Sequence, residues 1–172
     1  GQDVLIRAMP EIRRRVRDAT LLVVGGGPYR AELDDMARDA PPGAVVFAGQ
    51  VSEADLPRYY RAGDVFAMPC RTRLGGLEVE GWGNVFIEAA ACGRPVVVGD
   101  SGGARETLVD GVTGLLVDGR DVAAVADAVA TILEDPARAA AMGAAGRARV
   151  ERGFTWRHAA AQLAGWLREA AG

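Results

Sequence analysis

Short, mostly apolar runs alternate with segments of helical period along this chain, and that alternation constrains its fold more than any other feature. Thr20–Val24, Ala44–Ala48, Asp64–Met68, Pro95–Gly99 and Gly114–Val117 read as strands. Between them, Leu5, Met9, Ile12 and Val16 recur at helical spacing and predict a helix over 3–18. Further helices are expected at 29–39, at 53–62 with Ser52 as N-cap, and at 84–92 closed by Gly93. A single helical turn fits 104–108, and three helices, 121–134, 136–151 and 155–170, end the chain. Continuous apolar strands separated by helices predict an α/β fold, a Rossmann-like doubly wound parallel sheet with helices on both faces. Ligands of such sheets bind beyond the carboxyl ends of the strands. The loops that matter are therefore 25–28, 49–52, 69–83 and 99–103.

Several function classes drop out on composition. The 172 residues suffice for one domain with a substantial core, and a net charge of −3 gives no reason to expect nucleic acid. All 20 basic residues are Arg, so a Walker-A phosphate loop, which needs Lys, is excluded. Gly25-Gly26-Gly27-Pro28 resembles a dinucleotide turn, but Arg30 stands at the third glycine position and argues against a nicotinamide site. Cys70 and Cys92 lack metal-ligand spacing and read as reduced thiols of a cytoplasmic protein. No apolar run is long enough to span a bilayer. His158 has no partner motif and reads as structural or solvated, and Trp156 and Trp166 read as packing anchors of the last helix. Gly1-Gln2-Asp3 enters a helix at once, which reads as a piece of a longer chain.

The chemistry is concentrated between Arg71 and Glu88. This stretch follows a strand, is rich in glycine, and runs into a helix. The amides of Gly83, Asn84 and Val85 would be unpaired donors at that helix's N-terminus and, with its dipole, would suit a diphosphate. Gly81 and Gly83 allow close approach of a ligand to the backbone. Glu80 before the helix could accept from sugar hydroxyls, and Glu88 two turns in could accept a pair from ribose. On spacing alone the two carboxylates read equally well as a solvated helix residue and a charge that stabilises the dipole. The apolar neighbours of Glu88, from Val85 to Ala91, favour the functional reading.

Glu80 and Glu88 form an E-x7-E pair that resembles the retaining glycosyltransferases of the GT-B fold, family 4. Pro69-x-Arg71-Thr72-Arg73, Gly75-Gly76-Leu77, Val79-Glu80-Gly81, Val85-Phe86, Glu88-Ala89 and Ala91-x-Gly93 look like the actinobacterial phosphatidylinositol mannosyltransferases, those adding a second mannose. Gly99, Ser101–Ala104, Glu106-Thr107 and Gly114-Leu115 extend the likeness over nearly the whole chain.

The resemblance implies a single domain, 1–172, that binds a nucleotide-sugar donor, GDP-mannose or another nucleotide diphosphate sugar. Its helix at about 155–170 would cross back to an N-terminal acceptor domain lying outside this sequence. Glu80 would act on the transferred sugar as the catalytic contact. Val51, Gly81, Trp82, Gly83, Asn84, Val85 and Glu88 would bind the donor, with Val51 beside the base. Arg71 and Arg73 are candidates for phosphate or acceptor contact. The family's diphosphate Arg and Lys would lie upstream of Gly1, and its catalytic His in the missing domain, so this piece alone should be inactive. No metal or other cofactor is expected. The implied setting is cytoplasmic, with peripheral contact at the inner face of the plasma membrane through the N-terminal domain. A GT-B transferase using a UDP-sugar and a small acceptor, or a non-catalytic nucleotide-binding module, are the alternatives.

Overall fold

The computed structural model describes residues 1–171. Its elements are α1 (Gln2–Arg15), β1 (Leu21–Val24), α2 (Arg30–Arg38), β2 (Val45–Gly49), α3 (Leu56–Ala62), β3 (Phe66–Met68), α4 (Asn84–Ala91), β4 (Val96–Gly99), β5 (Gly114–Val117), α5 (Val122–Glu134), α6 (Pro136–Gly153) and α7 (Trp156–Ala171). Two 3-10 turns, Leu74–Gly76 and Gly102–Thr107, lie in the loops after β3 and β4. The α/β expectation is met, and every strand pair is parallel.

Strand periodicity places the core on both faces of the sheets. Leu21, Val45, Ala67, Val97, Leu115 and Val117 pack with α1 and α5, whose Val4, Ile12, Val125 and Ile132 are almost fully buried. On the other face Phe66, Met68, Val96, Val98 and Leu116 meet Tyr60 of α3 and Phe86 and Ala89 of α4. β4 is buried along its whole length, which explains its unbroken run of valines. α6 lies close on α4: a Cβ on Gly143 would stand 2.1 Å from the Gly93 carbonyl oxygen.

The strands fall into two ladders, β1–β2 and β3–β4–β5, with no hydrogen bonds joining them among the described residues. A cleft of about 1150 Å³ separates β1 from β3 and is lined by Leu21–Val24 on one wall and Val65–Met68 on the other.

Two local expectations need correction. Ser52 does not cap a helix starting at 53. Its hydroxyl accepts from the Asp55 amide at 3.2 Å and closes a turn, and α3 begins at Leu56, followed by Pro57. Trp156 and Trp166 are not packing anchors within this chain. They are 91% and 63% exposed, and with Leu163 and Leu167 they form an open apolar face on α7. Reading the tryptophans as anchors implied an apolar face on α7, which is present, but could not show what covers it. No helix among the described residues is long and apolar enough to cross a membrane.

Candidate functional site

The loop from Pro69 to Gly83 leaves the carboxyl end of β3 and delivers the chain to α4. Its base is pinned to β4, since the Cys70 thiol donates to the Gly99 carbonyl at 3.2 Å. Burial, and then the nearby Glu80 charge, push that thiol's pKa up and keep it protonated as a donor. At the tip, the Arg73 amide donates to the Glu78 carbonyl (2.8 Å) and the Glu78 amide to that of Arg73 (3.3 Å), enclosing the Leu74–Gly76 turn. Leu74, Leu77 and Val79 are exposed there.

The returning half of the loop is clamped by the turn after β4. The Glu80 amide donates to Ser101 Oγ at 3.2 Å, and that buried hydroxyl also meets Thr72 Oγ1 at 3.1 Å. The Gly103 amide donates to the carbonyls of both Glu80 and Gly81, each at 3.2 Å. Gly102 sits beneath them at φ +54°, and a Cβ there would stand 1.9 Å from the Glu80 carbonyl oxygen. The Glu80 backbone is thus hydrogen-bonded to two residues of a separate loop, Ser101 and Gly103, with Gly102 packed beneath, while its carboxylate makes no hydrogen bond among the described residues. The Trp82 ring packs on Phe154, the C-cap of α6 (centroids 5.5 Å), and Arg149 stacks over Phe154 and donates to the Glu106 and Thr107 carbonyls.

Gly83 starts α4 from the left-handed region (φ +81°), and a Cβ at that position would meet the Phe86 ring at 2.6 Å. No side chain caps the helix. The amides of Asn84 and Val85 have no partner among the described residues, so the positive end of α4 faces outward with two free donors. Glu88 is exposed despite its apolar neighbours in sequence, because it lies on the outer stripe of a helix whose Phe86, Ile87, Ala89 and Ala90 are buried. It is nevertheless held: Tyr60 Oη donates to Glu88 Oε2 at 2.7 Å. Its second oxygen is free among the described residues. α4 therefore presents two free amides with the unpaired Glu80 carboxylate on one side and the free oxygen of Glu88 on the other.

The other named residues divide. Val51 is half-buried in the loop after β2, next to the Gly25–Gly27 loop, whose Gly25 amide donates to the Gly49 carbonyl at 2.7 Å. Arg71 is engaged elsewhere. Its guanidinium grips Asp3 of α1 with two bonds of 2.9 and 3.0 Å. Asp3 is buried and also pairs with Arg7. Burial alone would raise the Asp3 pKa, but the Arg71 hydrogen bonds and charge, with Arg7, outweigh it and hold the carboxyl below its usual range. Arg73 pairs with Glu78 at 3.4 Å, both exposed. Each arginine thus has one carboxylate partner and keeps further N–H donors. Asp3, Tyr60 and Ser101 were not legible as site-building residues, because each acts on a partner 21 to 68 positions away. Among the described residues no group of His, Cys, Asp and Glu gathers in a way that could hold a metal ion.

Residues 1–135 match the family model described as glycosyl transferases group 1. The chain is 55% identical, over 165 residues, to a GDP-mannose-dependent α-(1-6)-phosphatidylinositol monomannoside mannosyltransferase of Mycolicibacterium smegmatis. That match covers 95% of this chain and 43% of the relative, so the chain spans less than half of the relative's length. Among solved structures, the sucrose-phosphate synthase of Thermosynechococcus elongatus superposes with a TM-score of 0.85 at 35% identity, covering 100% of this chain and 43% of that one. Anabaena HepE in complex with UDP-glucose superposes with a TM-score of 0.83 at 28% identity, covering 98% and 45%.

Proposed function

The chain belongs to the glycosyl transferases group 1 family, and from that membership we propose that it is the donor-binding domain of a retaining mannosyltransferase that takes GDP-mannose and glycosylates a phosphatidylinositol mannoside-type lipid. The observation that carries the reading is the uncapped N-terminus of α4 set between the unpaired Glu80 carboxylate and the free oxygen of Glu88. The free amides of Asn84 and Val85, with the helix dipole, suit a diphosphate. They act most strongly on the charge that builds on the leaving diphosphate as the glycosidic bond breaks. Glu80, on a backbone clamped from the β4 turn, accepts from the sugar's hydroxyls and orients its anomeric carbon. The free oxygen of Glu88 accepts from ribose, and Val51, beside the Gly25–Gly27 loop, meets the base through its backbone. Gly81, Trp82 and Gly83 line the sugar and diphosphate with main chain, the Trp82 ring being occupied by Phe154. The donor and acceptor classes come from the mycobacterial relative.

The remaining parts of the reading concern the longer protein. An acceptor domain on the N-terminal side would cover the exposed α7 face of Trp156, Leu163, Trp166 and Leu167. It would also carry the contact with the lipid acceptor at the inner face of the membrane. Neither metal nor other cofactor enters this scheme. Arg71 and Arg73 keep their pairing with Asp3 and Glu78 in it, and their remaining N–H groups are the candidates for phosphate or acceptor.

Calorimetric titration of the full-length protein tests the assignment. GDP should bind in preference to UDP and NADH. Glu88→Ala should raise the Kd for GDP about tenfold, the worth of one hydrogen bond to a charged group, while Glu80→Ala should leave it nearly unchanged. Preference for UDP would displace the donor assignment, and equal losses in the two variants would sink the division of roles.

A further inference from the structure

The geometry points to Tyr60 as the residue that positions Glu88, a role that rests on the reading of Glu88 as the ribose acceptor. Tyr60 lies on α3 and Glu88 on α4. Tyr60 Oη donates to Glu88 Oε2 at 2.7 Å, and the other oxygen is left to receive a ribose hydroxyl.

Exposure decides what that bond is for. Glu88 sits on the outer stripe of α4, and the bond joins exposed atoms. Water could satisfy both groups there, so burial does not demand the pairing. Its effect is on direction. A free glutamate on a helix surface samples several rotamers, and a ligand that needs one of them bears the cost of fixing it. Tyr60 fixes the carboxylate before the ligand arrives.

The chemistry of the partner matters as much as its presence. An arginine would grip both carboxylate oxygens and neutralise their charge, as Arg71 does to Asp3. A tyrosine hydroxyl donates once and carries no charge. Glu88 therefore keeps its full negative charge and one whole oxygen, which a hydroxyl donor on the ligand requires.

The phenol is itself held in place. Its ring meets Phe66 of β3 edge-on at 5.4 Å, and Phe66 meets Phe86 of α4 at 5.8 Å. Phe86 is fully buried, so this aromatic ladder is anchored in the core. It ends beneath the start of α4, where a Cβ on Gly83 would stand 2.6 Å from the Phe86 ring. One ladder thus joins the Glu88 acceptor to the helix start that carries the free Asn84 and Val85 amides. The same two helices meet again at the C-cap of α4, where the Cys92 thiol lies 4.0 Å from the Pro57 carbonyl of α3. Burial, reinforced by the Glu88 bond, pushes the phenol's pKa up, so it remains a donor throughout the physiological range.

Tyr60→Phe keeps the ladder and removes only the hydroxyl. In the full-length protein it should raise the Kd for GDP about fivefold and leave that for 2′,3′-dideoxy-GDP unchanged. The loss is smaller than the one expected for Glu88→Ala, because the acceptor is still present and only its direction is freed. Tyr60→Phe added to Glu88→Ala should weaken GDP no further, since the hydroxyl acts only through that carboxylate. A second fivefold loss in the double variant would mean that the hydroxyl acts by another route, and would overturn the proposal. So would equal weakening of both nucleotides by Tyr60→Phe, the mark of a merely structural role, or no effect on either. Glu88→Ala titrated with the same pair of nucleotides separates this proposal from the reading beneath it. If it shows no ribose-selective loss, the role of Glu88 fails and that of Tyr60 falls with it. If Glu88→Ala shows that loss and Tyr60→Phe does not, Tyr60 alone is refuted.

Discussion

Gly102→Ala should slow sugar transfer by the full-length enzyme about a hundredfold while leaving GDP affinity within a few-fold. The new methyl would stand 1.9 Å from the Glu80 carbonyl oxygen, and the position holds φ +54°. The left-handed conformation alone costs a non-glycine residue about 1–2 kcal/mol. Overlap with a backbone oxygen cannot be relieved by turning a side chain, so the Glu80 peptide must move by about 1 Å. Displacement on that scale at a group that orients the reacting sugar costs on the order of a hundredfold in rate. The Asn84 and Val85 amides and Glu88 lie on α4 and Val51 lies after β2, away from the Glu80 carbonyl and Val79 that the methyl meets, so these nucleotide contacts should persist. Single-turnover rates with a GDP titration measure both quantities. A rate near that of the unsubstituted enzyme would remove the β4 turn as the brace of Glu80.

Asp3→Ala should cost about 3 kcal/mol of folding stability. Removing one member of a buried ion pair leaves its partner charged and without solvation, typically at 3–5 kcal/mol. The low end applies because the Arg71 side chain is 24% exposed and can recover some water, whereas that of Asp3 is 8% exposed. The loss should appear as a lower denaturant midpoint with an unchanged slope. The pH dependence follows from sign. The folded-state pKa of Asp3 is lowered, so the carboxylate's contribution is complete above the unfolded carboxylate pKa and disappears as pH falls through the folded value. The gap between the parent protein and Asp3→Asn should hold steady from neutrality down to about pH 4 and close below it. A gap that widened on acidification would show that the ion pair is not its source. Because Arg71 opens the 69–83 loop, the variant should also loosen the site, which links a residue of α1 to the chemistry after β3.

The sequence carried the element order and the loop between β3 and α4. It did so because strand and helix periods are local, and a glycine-rich loop entering a helix is contiguous in the chain. Glu80, Asn84, Val85 and Glu88 could be named together since eight positions across a helix start fix their relation without any tertiary information. The boundary of α3 was missed by one turn because Ser52 can close a turn or cap a helix with the same hydroxyl. The tryptophans of α7 were misjudged because an apolar stripe demands a cover without saying whether this chain provides it.

What only the tertiary structure decided are pairings between residues remote in sequence. Arg71, a candidate for phosphate or acceptor contact, is gripped by Asp3, 68 positions away, and Glu88 receives a hydrogen bond from Tyr60, 28 positions away. The gap between the two ladders belongs to the same class, since strand order is set by which edges meet and not by which residues follow one another. Periodicity and spacing are properties of a short window of chain. Partners of charge, hydroxyl and strand edge are chosen by the packed fold, where burial makes an unsatisfied group too costly to leave alone.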